Sequence, residues 1–84
     1  MKTDLADRLA ALLGERYGLT PREAEVVGLL LFGLSDGGVL AHVLGVSRRT
    51  VYWHLTHIRR KLGVGTKAGI VARAWPVLQE ALAG

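Results

Sequence analysis

Between Arg49 and Arg60 the chain places three arginines, two large aromatics and a threonine at spacings that share one side of a helix. With 3.6 residues per turn, Arg49, Tyr52, Trp53, Thr56, Arg59 and Arg60 collect on one arc. Val51, Leu55, Ile58 and Leu62 fall on a narrow opposite stripe with His54 at its edge. Such an arc is suited to recognition rather than bond making. Guanidinium groups hold phosphate oxygens or guanine edges in a bidentate fork, a threonine hydroxyl bonds base edges, and aromatic rings lie on thymine methyls or sugars. The arc contains no acid. A helix face that merely meets water mixes charge signs and does not present Trp beside Tyr. The competing register, with Trp53 in the core, would bury Arg49 and Arg60 and is the poorer choice.

Other chemistries find less support. With no cysteine in the chain, disulfides, cysteine zinc sites and thiol nucleophiles are all absent. His54 and His57 stand three apart, half a metal site, but no third ligand accompanies them and His42 belongs to another helix. Packing and phosphate contact are the favoured roles. The run Gly63-Val64-Gly65-Thr66-Lys67-Ala68 fits the G-x-G-x-x-A dinucleotide pattern but follows a helix, with no strand to build the unit around it. Glu23 read as a general base lacks both a nucleophile and a partner carboxylate. Neither an enzyme nor a cofactor is expected.

The elements that must position the arc are helices. Leu5, Leu9, Leu12 and Leu13 form an apolar stripe on a first helix expected to start after Thr3 and fray near Gly14. Thr20-Pro21-Arg22-Glu23 combines an N-cap hydroxyl, a proline at the first helical position and a capping-box glutamate, opening a second helix from Pro21 to about Phe32. Gly33 closes it. Ser35 or Asp36 caps a short third helix ending near Leu44, and Gly45-Val46-Ser47 leads into a fourth, Arg48 to Leu62, stopped by Gly63. Thr66 caps a fifth, which Pro76 is expected to kink or end. Two helices joined by about three residues, with small Ala41 near the turn and Leu40, Leu44, Val46 and Val51 apolar, have the spacing of a helix-turn-helix. A plain αα-hairpin shares that spacing, and the outer arc weighs against it.

Composition agrees. Eighty-four residues, half of them hydrophobic, allow one small core but no two-lobed cleft, and positive mean hydropathy opposes disorder. The longest apolar stretch, Val26 to Leu34, spans nine residues, far short of the ~20 of a membrane span. Asp4, Asp7 and Arg8 interrupt any signal-peptide pattern, so a cytoplasmic protein is expected. The net charge of +4 is unevenly spread. Residues 1–36 hold four basic against six acidic side chains, and residues 37–84 hold seven basic against Glu80 alone.

Leu19-Thr20-Pro21-Arg22-Glu23, Gly33-Leu34-Ser35, Ala41, Leu44-Gly45-Val46-Ser47, Arg49-Thr50-Val51, His54 and Lys61-Leu62-Gly63-Val64 together resemble the LuxR/FixJ-type helix-turn-helix of bacterial transcription regulators, over about Leu19 to Trp75. The resemblance implies an all-α, four-helix domain at 19–84, to which residues 1–18 add an amphipathic helix, either packed on the domain or serving as a second dimer surface. It implies that the helix at 48–62 enters the major groove of double-stranded DNA. Tyr52, Trp53 and Thr56, with Arg49, then take base-contacting positions. Ser47, Arg48, Thr50, His57, Arg59, Arg60 and Lys67 take phosphate-contacting ones. A homodimer through the last helix is implied as well, with Ile70, Val71, Ala74 and Val77 as candidate interface residues.

Two departures stand out. Asp36-Gly37-Gly38-Val39-Leu40 has one residue too many and adjacent glycines at the start of the third helix, which is therefore expected to begin near Gly38. Tyr52 and Trp53 replace side chains that are often basic or small, so no base preference carries over. Regulators of this kind usually carry a sensor or receiver domain in front, and none fits here. The chain is expected to be a single-domain regulator or the output piece of a longer one. The rival reading is a protein-interaction module of the same fold that binds RNA polymerase or another regulator through the Tyr52–Trp53 face.

Overall fold

A computed structural model describes residues 4–84, folded into α1 (Leu5–Tyr17), α2 (Pro21–Leu31), α3 (Gly37–Leu44), α4 (Arg48–Leu62) and α5 (Lys67–Ala83), with no strand among the described residues. Local chemistry accounts for each boundary. Asp4 caps α1, its carboxylate accepting from Asp7 N at 2.9 Å; Thr3, the expected threshold, lies outside the described residues. The expectation of fraying at Gly14 is corrected, because α1 continues to Tyr17 and is closed by Gly18 in the left-handed region at φ 70°. Gly14 has a packing reason to be small: a Cβ there would stand 3.3 Å from the Leu19 carbonyl as the chain turns back.

The capping box forms as read. Thr20 Oγ1 accepts from Glu23 N at 3.1 Å, and Glu23 Oε1 accepts from Thr20 N at 2.9 Å. Asp36, rather than Ser35, caps α3 by accepting from Val39 N at 3.0 Å. The helix starts at Gly37, one residue before the expected position, because the carboxylate reaches the amide three residues on. Pro76 does not end α5, which runs on to Ala83. The proline denies the Ala72 carbonyl its helical donor, and both residues are exposed, which leaves that carbonyl open to solvent.

α1 lies across α2 and α5, while α4 packs against α3, α5 and α2. Leu13, Val26, Val27, Leu40, Val51, Leu55, Ile58, Leu62 and Ile70 form the fully buried centre, so α1 shares one core with the remainder. Polar clips fix α4 within this frame. Lys61 Nζ donates to Glu23 Oε1 at 2.7 Å and to the Gly18 carbonyl at 3.1 Å, tying the end of α4 to the start of α2. Arg22 donates to the Leu44 carbonyl at 2.8 Å and to Glu25 at 2.8 Å, tying α2 to the turn that launches α4. On the far side Arg16 pairs with Glu80, and Arg8 donates to the Ala81 carbonyl at 3.0 Å.

Candidate nucleic-acid interface

The turn between α3 and α4 is set by glycine. Gly45 lies at φ 69°, with its N–H on the His42 carbonyl at 3.2 Å and the Val46 N–H on the Ala41 carbonyl at 3.0 Å. This pair of bonds is a Schellman closure, which a left-handed residue makes without strain. Ser47 then caps α4, its hydroxyl accepting from Thr50 N at 3.1 Å and lying 3.1 Å from Thr50 Oγ1. The candidate phosphate-contacting hydroxyls of Ser47 and Thr50 thus sit together where α4 leaves its free N–H groups.

α4 turns Val51, Leu55, Ile58 and Leu62 inward and leaves Arg49, Tyr52, Trp53, Thr56 and Arg60 exposed, with Arg59 half-buried beside them. Tyr52 and Trp53 remain 53% and 59% exposed, which removes the register with Trp53 in the core. The arc is partly preorganised. Thr56 Oγ1 donates to the Tyr52 carbonyl at 2.9 Å and accepts from Arg59 Nη2 at 3.4 Å. Its proton is committed to the helix, so outward it offers a methyl group and an acceptor lone pair. The Trp53 ring rests on His57, with centroids 4.3 Å apart and planes tilted by 54°, and meets His54 edge-on at 5.3 Å and 69°. His57 therefore supports the indole as well as standing at a candidate phosphate position. Among the described residues, His54 Nδ1 is buried without a hydrogen-bond partner.

The remaining cations divide by their partners. Lys67 Nζ donates to the Ser35 carbonyl at 2.6 Å, which holds it beside the start of α3. Arg48 lies over Gly38, where an added Cβ would meet its Nη2 at 2.7 Å. Backbone N–H bonds from Val39 and Gly38 hold the Asp36 carboxyl below the usual aspartate range, and the charges of Arg48 and Lys67 act in the same direction. Arg16, Arg22 and Lys61 form ion pairs, whereas among the described residues Arg48, Arg49, Arg59 and Arg60 form none. Arg16, Arg22 and Lys61 are thus paired with acids of the scaffold, while the arginines of the arc have no carboxylate partner among the described residues.

The candidate dimer residues need correction. Ile70, Ala74 and Val77 are buried in this chain's own core, and Val71 is half-buried. The opposite side of α5 exposes Ala68, Ala72, Trp75, Gln79 and Leu82, with Trp75 48% and Leu82 60% exposed. Their alternating spacing of four and three is that of a coiled-coil seam. The spacing was present in the sequence. The stronger apolar signal of the inner face concealed it.

Comparison with known proteins accords with this geometry. The pattern of the family described as bacterial regulatory proteins, luxR family, matches residues 17–74. The chain is similar to the transcriptional regulatory protein MctR of Rhizobium johnstonii, 38% identical over 76% of this chain and 32% of the relative. It is also similar to Mb0914c of Mycobacterium bovis and Rv0890c of Mycobacterium tuberculosis, both named as HTH-type transcriptional regulators. Each is 46% identical over 67% of this chain and 6% of the relative. The chain therefore spans a third or less of each of these relatives. No solved structure gives a significant match.

Proposed function

The chain belongs to the luxR family of bacterial regulatory proteins, non-enzymatic DNA-binding regulators of transcription, and from that premise we propose that it binds double-stranded DNA sequence-specifically, with α4 in the major groove. One observation carries this reading: the outward arc of α4 bears arginines that form no ion pair among the described residues, together with two exposed aromatics, on a helix that Lys61 clips to α2 at its C-terminal end and that follows an α3 whose last carbonyl Arg22 holds. Arg48, Arg49, Arg59, Arg60 and Lys67 supply affinity by displacing counterions, with Ser47, Thr50 and His57 fixing register on the phosphates. Tyr52, Trp53, Thr56 and Arg49 discriminate among bases. Among the described residues no helix is long and apolar enough to cross a membrane, and the proposed site of action is the cytoplasm, where a bacterial regulator meets its DNA.

Salt dependence tests the reading. Fluorescence anisotropy with random duplex should give a linear fall of log affinity with log salt, and Arg60→Ala should reduce that slope by about one. A folded protein that binds no duplex at about 50 mM salt would overturn the reading in favour of an RNA polymerase-binding or other protein-interaction module of the same fold.

We further propose that two copies meet on DNA through the Ala68, Ala72, Trp75, Gln79 and Leu82 seam, on half-sites about one helical turn apart. Small residues allow the helices close approach, and Trp75 supplies the central anchor. Trp75→Glu should abolish cooperative occupancy of paired half-sites, at a cost of about 2 kcal/mol or more in coupling, while leaving single half-site binding in place. Gel-shift titration on one-site and two-site duplexes would measure this. Unchanged cooperativity would remove the seam from the dimer.

A further inference from the structure

Gly37 and Gly38 open α3 although glycine weakens a helix relative to alanine. Neither has a positive φ, so backbone conformation does not call for glycine here. Space does. A Cβ on Gly37 would stand 3.1 Å from Tyr52 Oη, 3.4 Å from its Cζ and 3.7 Å from Cε1. A Cβ on Gly38 would stand 2.7 Å from Arg48 Nη2 and 3.1 Å from Asp36 Oδ1. One residue before the cap, the Ser35 carbonyl accepts from Lys67 Nζ at 2.6 Å. Four consecutive residues, 35–38, therefore touch or border three side chains of the proposed DNA face, contributed by α4 and α5.

We propose that the Ser35–Gly38 segment is a seat that sets the pose of Tyr52 and Arg48, with Gly37 and Gly38 acting as positioning residues that determine which duplexes the α4 face accepts. This rests on the reading of α4 as the recognition helix. Two oddities of the sequence become one device, since the paired glycines make room for side chains that a more ordinary α3 would displace. The seat also decides which part of Tyr52 does the reading. Its hydroxyl is parked against Gly37 and has no hydrogen-bond partner among the described residues, so the ring, half-exposed, is what faces outward. An outward ring suits apolar contact with a pyrimidine 5-methyl group or a sugar rather than a hydrogen bond to a base edge. Arg48 is exposed and reaches over Gly38, whose missing side chain leaves room for the guanidinium.

The test is a double-mutant comparison in the complete chain. Gly37→Ala, Tyr52→Phe and the combined variant are titrated by anisotropy against a duplex selected from a random library and against random duplex. Aromatic carbon–proton spectra are recorded for each free protein. Gly37→Ala should shift the Tyr52 ring resonances and lower affinity for the selected duplex about tenfold, with random-duplex affinity held. In the Tyr52→Phe background, where the 3.1 Å clash is gone and the nearest ring carbon sits at an ordinary 3.4 Å, the same Gly37→Ala change should cost less than about threefold. Unmoved ring resonances, equal losses on both duplexes, or the same loss in both backgrounds would each overturn the seat. If the unaltered protein binds no duplex at all, the DNA reading fails. The positioning claim is then decided by the ring resonances of the free proteins.

Discussion

Glu23→Ala is expected to lower the unfolding free energy by about 2–3 kcal/mol, with Glu23→Gln costing roughly half of that. Glu23 is buried and serves two partners at once: the Thr20 N–H at 2.9 Å, which completes the capping box, and Lys61 Nζ at 2.7 Å. Alanine removes both. Glutamine keeps an oxygen for Thr20 but loses the charge that Lys61 answers. Lys61 is itself a third exposed and retains the Gly18 carbonyl, so the loss stays below that of stranding a fully buried cation. Burial is the largest single influence on the Glu23 carboxyl and pushes its pKa up. The Lys61 hydrogen bond, the Thr20 N–H and the Lys61 charge together outweigh it and leave the group below the usual glutamate range. With a folded pKa beneath the unfolded one, the stabilisation is complete above the unfolded value and disappears as pH falls through the folded value. Urea unfolding followed by circular dichroism at neutral pH, and again below about pH 4, should show the gap between the native chain and Glu23→Gln closing in acid. A gap that persists there would mean that the charge contributes nothing.

Trp53→Ala is expected to cost about 1–3 kcal/mol on a selected duplex and little on random DNA. The indole is large, 59% exposed and braced by His57 at 4.3 Å, so little conformational entropy is lost when a base or sugar meets it. Competition titrations against selected and random duplexes would measure the difference. Equal losses on both would show that Trp53 contributes adhesion without reading sequence.

Where structure follows from chemistry within a few residues, the sequence was an accurate guide. Ser47, Gly63 and the Val51, Leu55, Ile58 and Leu62 stripe define α4 with the bounds and inner face it has in the structure. Thr20, Pro21 and Glu23 start α2 as read. Features that depend on a neighbour from elsewhere in the chain were harder to read. Gly14 looked like a helix end because the Leu19 carbonyl that requires its smallness arrives only after the chain reverses. Ile70, Ala74 and Val77 carry the same apolar signature whether they cover a partner's core or their own. The role of Lys61 as a clip appears only when α4 crosses α2, since its acceptors lie 38 and 43 residues away. Likewise, Gly37 and Gly38 read as a helix weakness until Tyr52 and Arg48 are seen to occupy the space they leave.

The chain has two tryptophans, and the fold places one on each proposed contact surface, Trp53 on the outer arc of α4 and Trp75 at the centre of the α5 seam. Intrinsic fluorescence is therefore divided between the two proposed contacts, one with a duplex and one with a second copy. On the proposed reading, emission from the first indole responds to contact with a thymine methyl or sugar, and emission from the second to the loss of water between two copies. Replacing either tryptophan with phenylalanine leaves a single indole reporter, so the order of the two proposed events can be timed by stopped flow without attaching a dye.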